Sequence, residues 1–243
     1  MPRFFVDSLP EGGLYHLEGE AGRHGAKVLR LRPGESVTLC DGAGRDCLCT
    51  VAENAGDSLW LTAGDSVPSR GEARTRVTVC QCLPKGDKLE TVVQKAVELG
   101  AHSVWPVESQ FCVAKWDQKA QPKKLARLQK IALEAAMQSG RGMVPQVLAP
   151  APLAAALQIA AGEGHVLFLY ERAVLSLKEG LRDTGGRLFV FIGPEGGFAE
   201  EEAELARSLG AKICSLGPRI LRTETAPIAA LSAVMYEKGE MEL

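Results

Sequence analysis

The chain has 243 residues, 46% of them hydrophobic and 24% charged, and a formal net charge of −2. That length suits one large or two modest domains, each able to bury a core, and the composition is that of a globular protein. The near-balanced charge excludes a globally basic nucleic-acid binder but leaves room for a local basic patch.

The start, "MPRFFVDSLPEGG", lacks the apolar run and cleavage site of a signal peptide. No segment approaches the roughly 18 uninterrupted apolar residues that a membrane helix needs. Seven scattered cysteines, an odd number, do not form a disulfide framework. These features together predict a reduced, cytoplasmic enzyme.

In chain order, residues 1 to about 67 read as β-rich. "RFFV", "SVTLCD", "RDCLCTV" and "SLWLTA" are short, partly alternating runs between turn residues, with one helix expected at "GRHGAKVLRL". "VPSRGEART", Val67 to Thr75, has linker composition, which sets expected domains at 1–70 and 75–243. Beyond it strands and helices alternate. "RVTVCQCL" is a strand, and "GDKLETVVQKAVELG" a helix with Leu89, Val92, Val93, Ala96 and Val97 at helical spacing before Gly100. "SVWPV" is a strand and "PKKLARLQKIALEAAMQSG" a helix, then "HVLFLY", "RLFVFI" and "AKICSL" are strands. Further helices are expected over Ala173 to Gly180, Glu200 to Leu209 and Ala226 to Tyr236. Such alternation predicts a parallel sheet covered on both faces.

The pairs Cys47/Cys49 and Cys80/Cys82 have C-x-C spacing, which on a strand turns both thiols to one face. Zinc sites use wider spacing on turns, so these read as small buried hydrophobes, and no metal is expected. His16, His24, His102 and His165 show no metal-binding spacing. There is no G-x-S-x-G elbow for a nucleophilic hydrolase.

"LFVFIGPEGGFAEEE" joins an apolar strand to a helix through a glycine-rich loop. A P-loop would carry Lys where Phe198 stands, and a dinucleotide fingerprint would lie on the first strand of its unit. Glu200 to Glu202 complement the positive end of the helix. The paired Gly196 and Gly197 imply close backbone approach. With Glu195 beside them, the loop suits a neutral or cationic ligand, such as S-adenosylmethionine with its sulfonium, rather than a pyrophosphate. The next strand runs into a second loop, "SLGPRILRTETAPIAALSAVMY", where Thr223 and Thr225 can cap a nearly all-apolar helix. Two glycine-bearing loops on successive strand ends mark the carboxyl edge of the sheet, where open α/β folds bind ligands.

"IGPEGGF" followed by "LGPRILRTETA" closely resembles the ribosomal RNA small subunit methyltransferase E family of the SPOUT class. "HGAKVLRLRPGE", "KGDKLETVVQKAVELG" and "KIALEAAMQSGR" support the likeness along the whole chain. The resemblance implies a small PUA-like β-barrel for RNA binding, then an α/β SPOUT domain with a deep trefoil knot at its C-terminal end. It also implies a homodimer that methylates N3 of a uridine in 16S rRNA of the small ribosomal subunit, with S-adenosylmethionine as cofactor. On this chain the cofactor site would comprise Leu169, Ile192, Gly193, Pro194, Glu195, Gly196, Gly197, Leu216, Gly217, Ile220, Leu221 and Arg222. Arg222 would stabilise charge developing on the uracil carbonyls, while Glu224 or Glu195 handles the proton or orients Arg222. In "PVESQFCV", Gln110 and Phe111 stand where the family often has Glu and Arg.

Between Val113 and Met143 seven basic residues meet only Asp117 and Glu134. Lys123, Arg127 and Lys130 share one helix face, and Arg141 is a candidate phosphate contact. Arg23, Lys27, Arg30 and Arg32 form a second group. Together the two groups suit an RNA clamp guided by phosphates. Other readings are a SPOUT enzyme acting on tRNA or another RNA, a nicotinamide oxidoreductase, and a non-catalytic RNA-binding module.

Overall fold

Alternation of apolar and polar residues builds the first of two units in a computed structural model that describes residues 1–242. This unit contains residues 1–72 and 136–144, the second 73–135 and 145–243. The first unit has a five-stranded sheet: β1 (Arg3–Phe5), β2 (Gly13–Leu17), β3 (Ser36–Cys40), β4 (Arg45–Asn54) and β5 (Leu59–Pro68). Their order is β1-β3-β4-β5-β2, with β1 parallel to β3 and the other neighbours antiparallel. On β4 the side chains of Cys47, Cys49 and Val51 turn inward to meet Phe4, Val37, Leu39, Leu59 and Leu61. Each fully buried side chain of this size contributes about 1.5–3 kcal/mol.

Two local features depart from the pattern read in the sequence. The expected helix at "GRHGAKVLRL" is α1 (Gly19–Arg23) followed by a π-helical turn over His24–Val28. β2 was hidden because its first residue, Gly13, sits at φ +73° and only Leu17 of the strand is buried.

The return of residues 136–144 to the first unit has a physical cause. The Glu72 carboxylate accepts hydrogen bonds from Arg141 Nη2 at 2.6 Å, Gly142 N at 2.9 Å and Met143 N at 3.0 Å. Arg141 is therefore buried, 4% exposed, which corrects its reading as a phosphate contact.

In the second unit the strands are β6 (Arg76–Cys82), β7 (Ser103–Glu108), β8 (Gln146–Val147), β9 (Ala151–Pro152), β10 (His165–Leu169), β11 (Leu175–Ser176), β12 (Arg187–Ile192) and β13 (Lys212–Ser215). The helices are α2 (Lys88–Glu98), α3 (Gln121–Ser139, its residues to Ala135 in this unit), α4 (Leu153–Glu163), α5 (Leu177–Gly180), α6 (Glu200–Ser208) and α7 (Ala226–Glu237). The sheet order is β11-β13-β10-β12-β6-β7-β8, with β9 beside β7, and its strand pairs are parallel. Central strands are buried along nearly their whole length, as a sheet covered on both faces requires: Leu188 to Ile192 on β12 and Val166 to Leu169 on β10.

α2 buries the stripe predicted for it, Leu89, Val92, Val93, Ala96 and Val97, and Gly100 follows it at φ +91°. The helix expected over Ala173 to Gly180 is shorter. Residues 175 and 176 pair with β13, and Ser176 then caps α5 by accepting from Glu179 N. The sequence also concealed α4, whose Ala-rich run has no polar stripe to set a period. Among the described residues no helix is long and apolar enough to cross a membrane. All seven cysteines are buried, and Cys80 and Cys82 share a face with Thr78 between the neighbours of β6.

Candidate functional site

Because the strands are parallel, the loops that leave β10, β12, β13 and β6 emerge at one edge of the sheet. There a cavity of about 560 Å³ is lined by the loops after β10, β12 and β13 and by Lys88 of α2. It falls in the size range of small-molecule sites. Leu169, Ile192, Gly193, Pro194, Glu195, Gly196 and Gly197 line it, as do Leu216, Gly217, Ile220, Leu221 and Arg222. The twelve residues expected around a cofactor thus share one cavity. Tyr170, Glu171, Phe198, Ser215, Arg219 and Thr223 complete most of the wall.

A buried polar latch holds two of these loops. Gln81, 0% exposed near the end of β6, donates from Nε2 to Thr223 Oγ1 at 3.0 Å. Thr223 Oγ1 donates in turn to Gly193 O at 2.8 Å. Satisfying these groups matters because an unpaired buried polar atom costs about 1–3 kcal/mol. Gln81 Oε1 finds no partner among the described residues. A lone glutamine between two cysteines in an apolar strand was the available signal for this latch.

The paired glycines of the β12 loop, Gly196 and Gly197, serve close approach, and their nearest neighbours are side chains of this chain. Gly197 adopts φ +70°, and a Cβ there would lie 3.3 Å from Glu171 Oε2. A Cβ on Gly196 would lie 3.0 Å from Phe111 Cβ.

Lys88 is the charged residue that the sequence reading missed, although it stands in the quoted segment "KGDKLE". Its Nζ lies 2.7 Å from Glu195 Oε1 and 3.6 Å from Glu224 Oε2. Lys85 N donates to the same Glu195 oxygen at 3.1 Å. Burial opposes ionisation of Glu195, but the Lys88 ammonium and the backbone donors outweigh it and hold the carboxyl below its ordinary range. Bonding to Glu195, against a smaller opposing desolvation, raises the Lys88 ammonium.

Among the described residues no ion pair joins Arg222 to Glu224 or Glu195. Arg222 is exposed at the cavity, whereas Glu224 is half-buried beside Lys88 and does not line the cavity. The glutamates at the start of α6 do not line the cavity. Glu202 is consumed locally, accepting from Ala199 N at 2.9 Å and Gln110 N at 2.8 Å, and Glu200 faces Arg172 at 3.7 Å. Lys88, Arg219 and Arg222 share the wall with Glu171 and Glu195, so the cavity offers both signs of charge.

Of the basic candidates, Lys123, Arg127 and Lys130 are exposed on α3, with Arg127 Nη2 2.8 Å from Glu90. Arg23, Lys27, Arg30 and Arg32 are exposed in the first unit. No group of three or more metal-ligating side chains occurs among the described residues.

Two family models match the chain. A family model described as an RNA methyltransferase domain matches residues 71–235, and one described as an RNA methyltransferase PUA domain matches residues 17–65. The chain is 34% identical over 248 residues to a Bacillus subtilis protein named ribosomal RNA small subunit methyltransferase E, covering 98% of this chain and 97% of that one. A Mycobacterium bovis protein of the same name is 37% identical over 239 residues, covering 95% and 90%. The fold matches a crystal structure of the protein of that name from Neisseria gonorrhoeae bound to S-adenosyl methionine, with TM-score 0.88, 33% identity and 97% of each chain covered.

Proposed function

This chain belongs to the ribosomal RNA small subunit methyltransferase E family, and on that premise we propose that it transfers a methyl group from S-adenosylmethionine to N3 of one uridine in 16S rRNA. The observation that carries this reading is the convergence of three strand-end loops on one cavity in which Arg222 is exposed, with no carboxylate paired to it among the described residues.

The cavity fits the cofactor. Leu169, Ile192, Leu216 and Leu221 offer apolar walls to a flat base, and the mixed charges of Lys88, Arg219, Glu171 and Glu195 suit a zwitterionic amino-acid end. S-Adenosylmethionine, when bound, supplies an electrophilic methyl group. The protein must supply the rest: position and charge stabilisation. Arg222 meets the negative charge that develops on the uracil carbonyls as N3 loses its proton. Glu195 is ionised and faces the cavity, so it accepts that proton. A carboxylate held below its ordinary range is a weak base, which makes stabilisation by Arg222 the larger contribution. Lys88 fixes Glu195 and Glu224 and thereby the two loops that carry them.

The loops after β12 and β13 are proposed to form a deep trefoil knot, a reading supported by the family and by the Gln81–Thr223–Gly193 latch. A homodimer is supported by the outer face of α7, where Tyr236 is 75% exposed on a mostly apolar helix. Residues 1–70 are proposed as an RNA-binding PUA-like barrel and 75–243 as the catalytic SPOUT domain. Lys123, Arg127 and Lys130, with Arg23, Lys27, Arg30 and Arg32, are proposed to contact RNA phosphates. A ribosomal substrate implies a cytoplasmic setting.

The test is mass-spectrometric mapping of RNA from a strain lacking the protein. Loss of 3-methyluridine from small-subunit rRNA, with tRNA unchanged and the mark restored by complementation, supports the reading. Loss from tRNA instead assigns the enzyme to a different RNA.

A further inference from the structure

Of the aromatic side chains among the described residues, only Phe111 and Tyr236 are exposed. Phe111, 44% exposed, stands on the loop that leaves β7 at the carboxyl edge, with the Gly196 backbone of the cavity wall against its Cβ. Any side chain at position 196 would displace it.

The loop is held on both sides of the ring. Gln110 N donates to Glu202 Oε1 at 2.8 Å, and Ser109 N and Oγ lie 3.4 and 3.3 Å from the buried Cys112 Sγ. An exposed ring on a pinned backbone has already lost much of the freedom that binding would otherwise remove.

Its surroundings indicate the class of partner. Val113, two residues on, is 70% exposed, and Lys115, Lys119 and Lys123 follow, all exposed. Trp116 in the same stretch is covered by Lys124, whose Nζ lies 5.3 Å from its ring, so Phe111 is left as the open aromatic surface. An apolar ring followed by a run of ammonium groups matches a single strand of RNA, whose bases stack on aromatic faces while its phosphates meet cations.

We infer that Phe111 is a stacking platform for an unstacked base of the substrate RNA at the mouth of the cofactor cavity. The inference rests on the RNA methyltransferase reading above. Phe111 then acts as a positioning residue that holds the strand so that the target uridine reaches the cavity.

The experiment uses the full-length protein, S-adenosylmethionine and small ribosomal subunits lacking the mark. It compares wild type with Phe111→Ala, Phe111→Leu and Phe111→Trp. Stacking predicts that Ala and Leu raise the KM for subunits, and their Kd by filter binding, by roughly 5- to 150-fold. Trp stays near wild type, and the Kd for the cofactor hardly moves in any variant. If Phe111 merely packs against Gly196, Leu restores wild-type binding, or cofactor affinity falls in step with subunit affinity, and the inference is overturned. A shift of Phe111→Ala toward monomers in sedimentation would assign the ring to a contact between copies and would also overturn it. Wild type that binds subunits with this aromatic dependence yet transfers no methyl group would leave the platform standing and refute the function. Wild type that binds no subunits would refute both.

Discussion

Lys88 Nζ lies 2.7 Å from Glu195 Oε1, tying the first turn of α2 to the loop that follows β12. This ammonium also faces Glu224 in the next loop, so one side chain organises carboxylates from two segments of the cavity. Lys88→Met should weaken S-adenosylmethionine binding in calorimetry while leaving the melting temperature nearly unchanged, because water still reaches this partly exposed pair. The Glu195 pKa, now depressed, should rise in the variant toward the ordinary carboxylate value. Its pairing with Lys88 operates above that ordinary value and is lost as pH falls through the depressed one. Carboxylate titration by NMR reads the change, and an unmoved Glu195 would show that Lys88 does not set it.

Thr223 is the hinge of the buried latch. Thr223→Val keeps the shape but leaves Gln81 Nε2 and Gly193 O without this partner. The variant should lose about 1–3 kcal/mol of stability and melt several degrees lower. Cofactor affinity should fall with it, because Gly193 lines the cavity. Unchanged melting and affinity would show that the latch is dispensable.

Acid should act on the first unit through Asp46. Burial disfavours its charge, yet the Arg3 guanidinium at 2.7 Å and the Ser69 hydroxyl at 2.5 Å hold its pKa below the ordinary 3.8. The stabilisation is fully present above the unfolded value and disappears as pH falls through the lower folded value. Arg3→Met should therefore cost about 2 kcal/mol at neutral pH, and the gap from wild type should close below about pH 4. Chemical denaturation across pH measures that gap, and a constant gap down to strong acid would remove Asp46 from the explanation.

The two kinds of arginine and lysine near α3 should separate in salt titrations. Lys123→Ala and Lys130→Ala should each weaken subunit binding and lower the slope of log K against log salt by about 1. Arg141→Ala should leave that slope unchanged and instead destabilise the fold by about 3 kcal/mol, because it removes a buried guanidinium and strips the half-buried Glu72 of its cation. Equal salt behaviour in all three would undo the distinction.

How far these features were legible depended on what kind of physics produced them. The stripe of α2 and the buried strands of the sheet carry their own periodicity, and the two glycine-bearing loops announced a ligand edge. α4 escaped because its alanines give no contrast between faces, and β2 because it opens on Gly13 and buries only Leu17. The burial of Arg141 could not be read locally, since Glu72 lies 69 residues away. Lys88 was visible as a residue but not as a partner, because its contacts with Glu195 and Glu224 exist only once β6 and β12 pair. The role read for Glu200 to Glu202 at the start of α6 is seen at Glu202, which accepts from Ala199 N, while its second bond, from Gln110 N, joins segments too far apart in sequence to read locally.

The most direct measurement is transfer of a labelled methyl group from S-adenosylmethionine to unmodified small ribosomal subunits, followed by nuclease digestion and mass spectrometry, run on wild type and Arg222→Ala side by side. The proposed function predicts a single 3-methyluridine in 16S rRNA with wild type. It predicts turnover at saturating cofactor lower by about 10²- to 10³-fold in the variant, with melting preserved. A label at another base or in another RNA, or a folded Arg222→Ala protein with wild-type turnover, would contradict it.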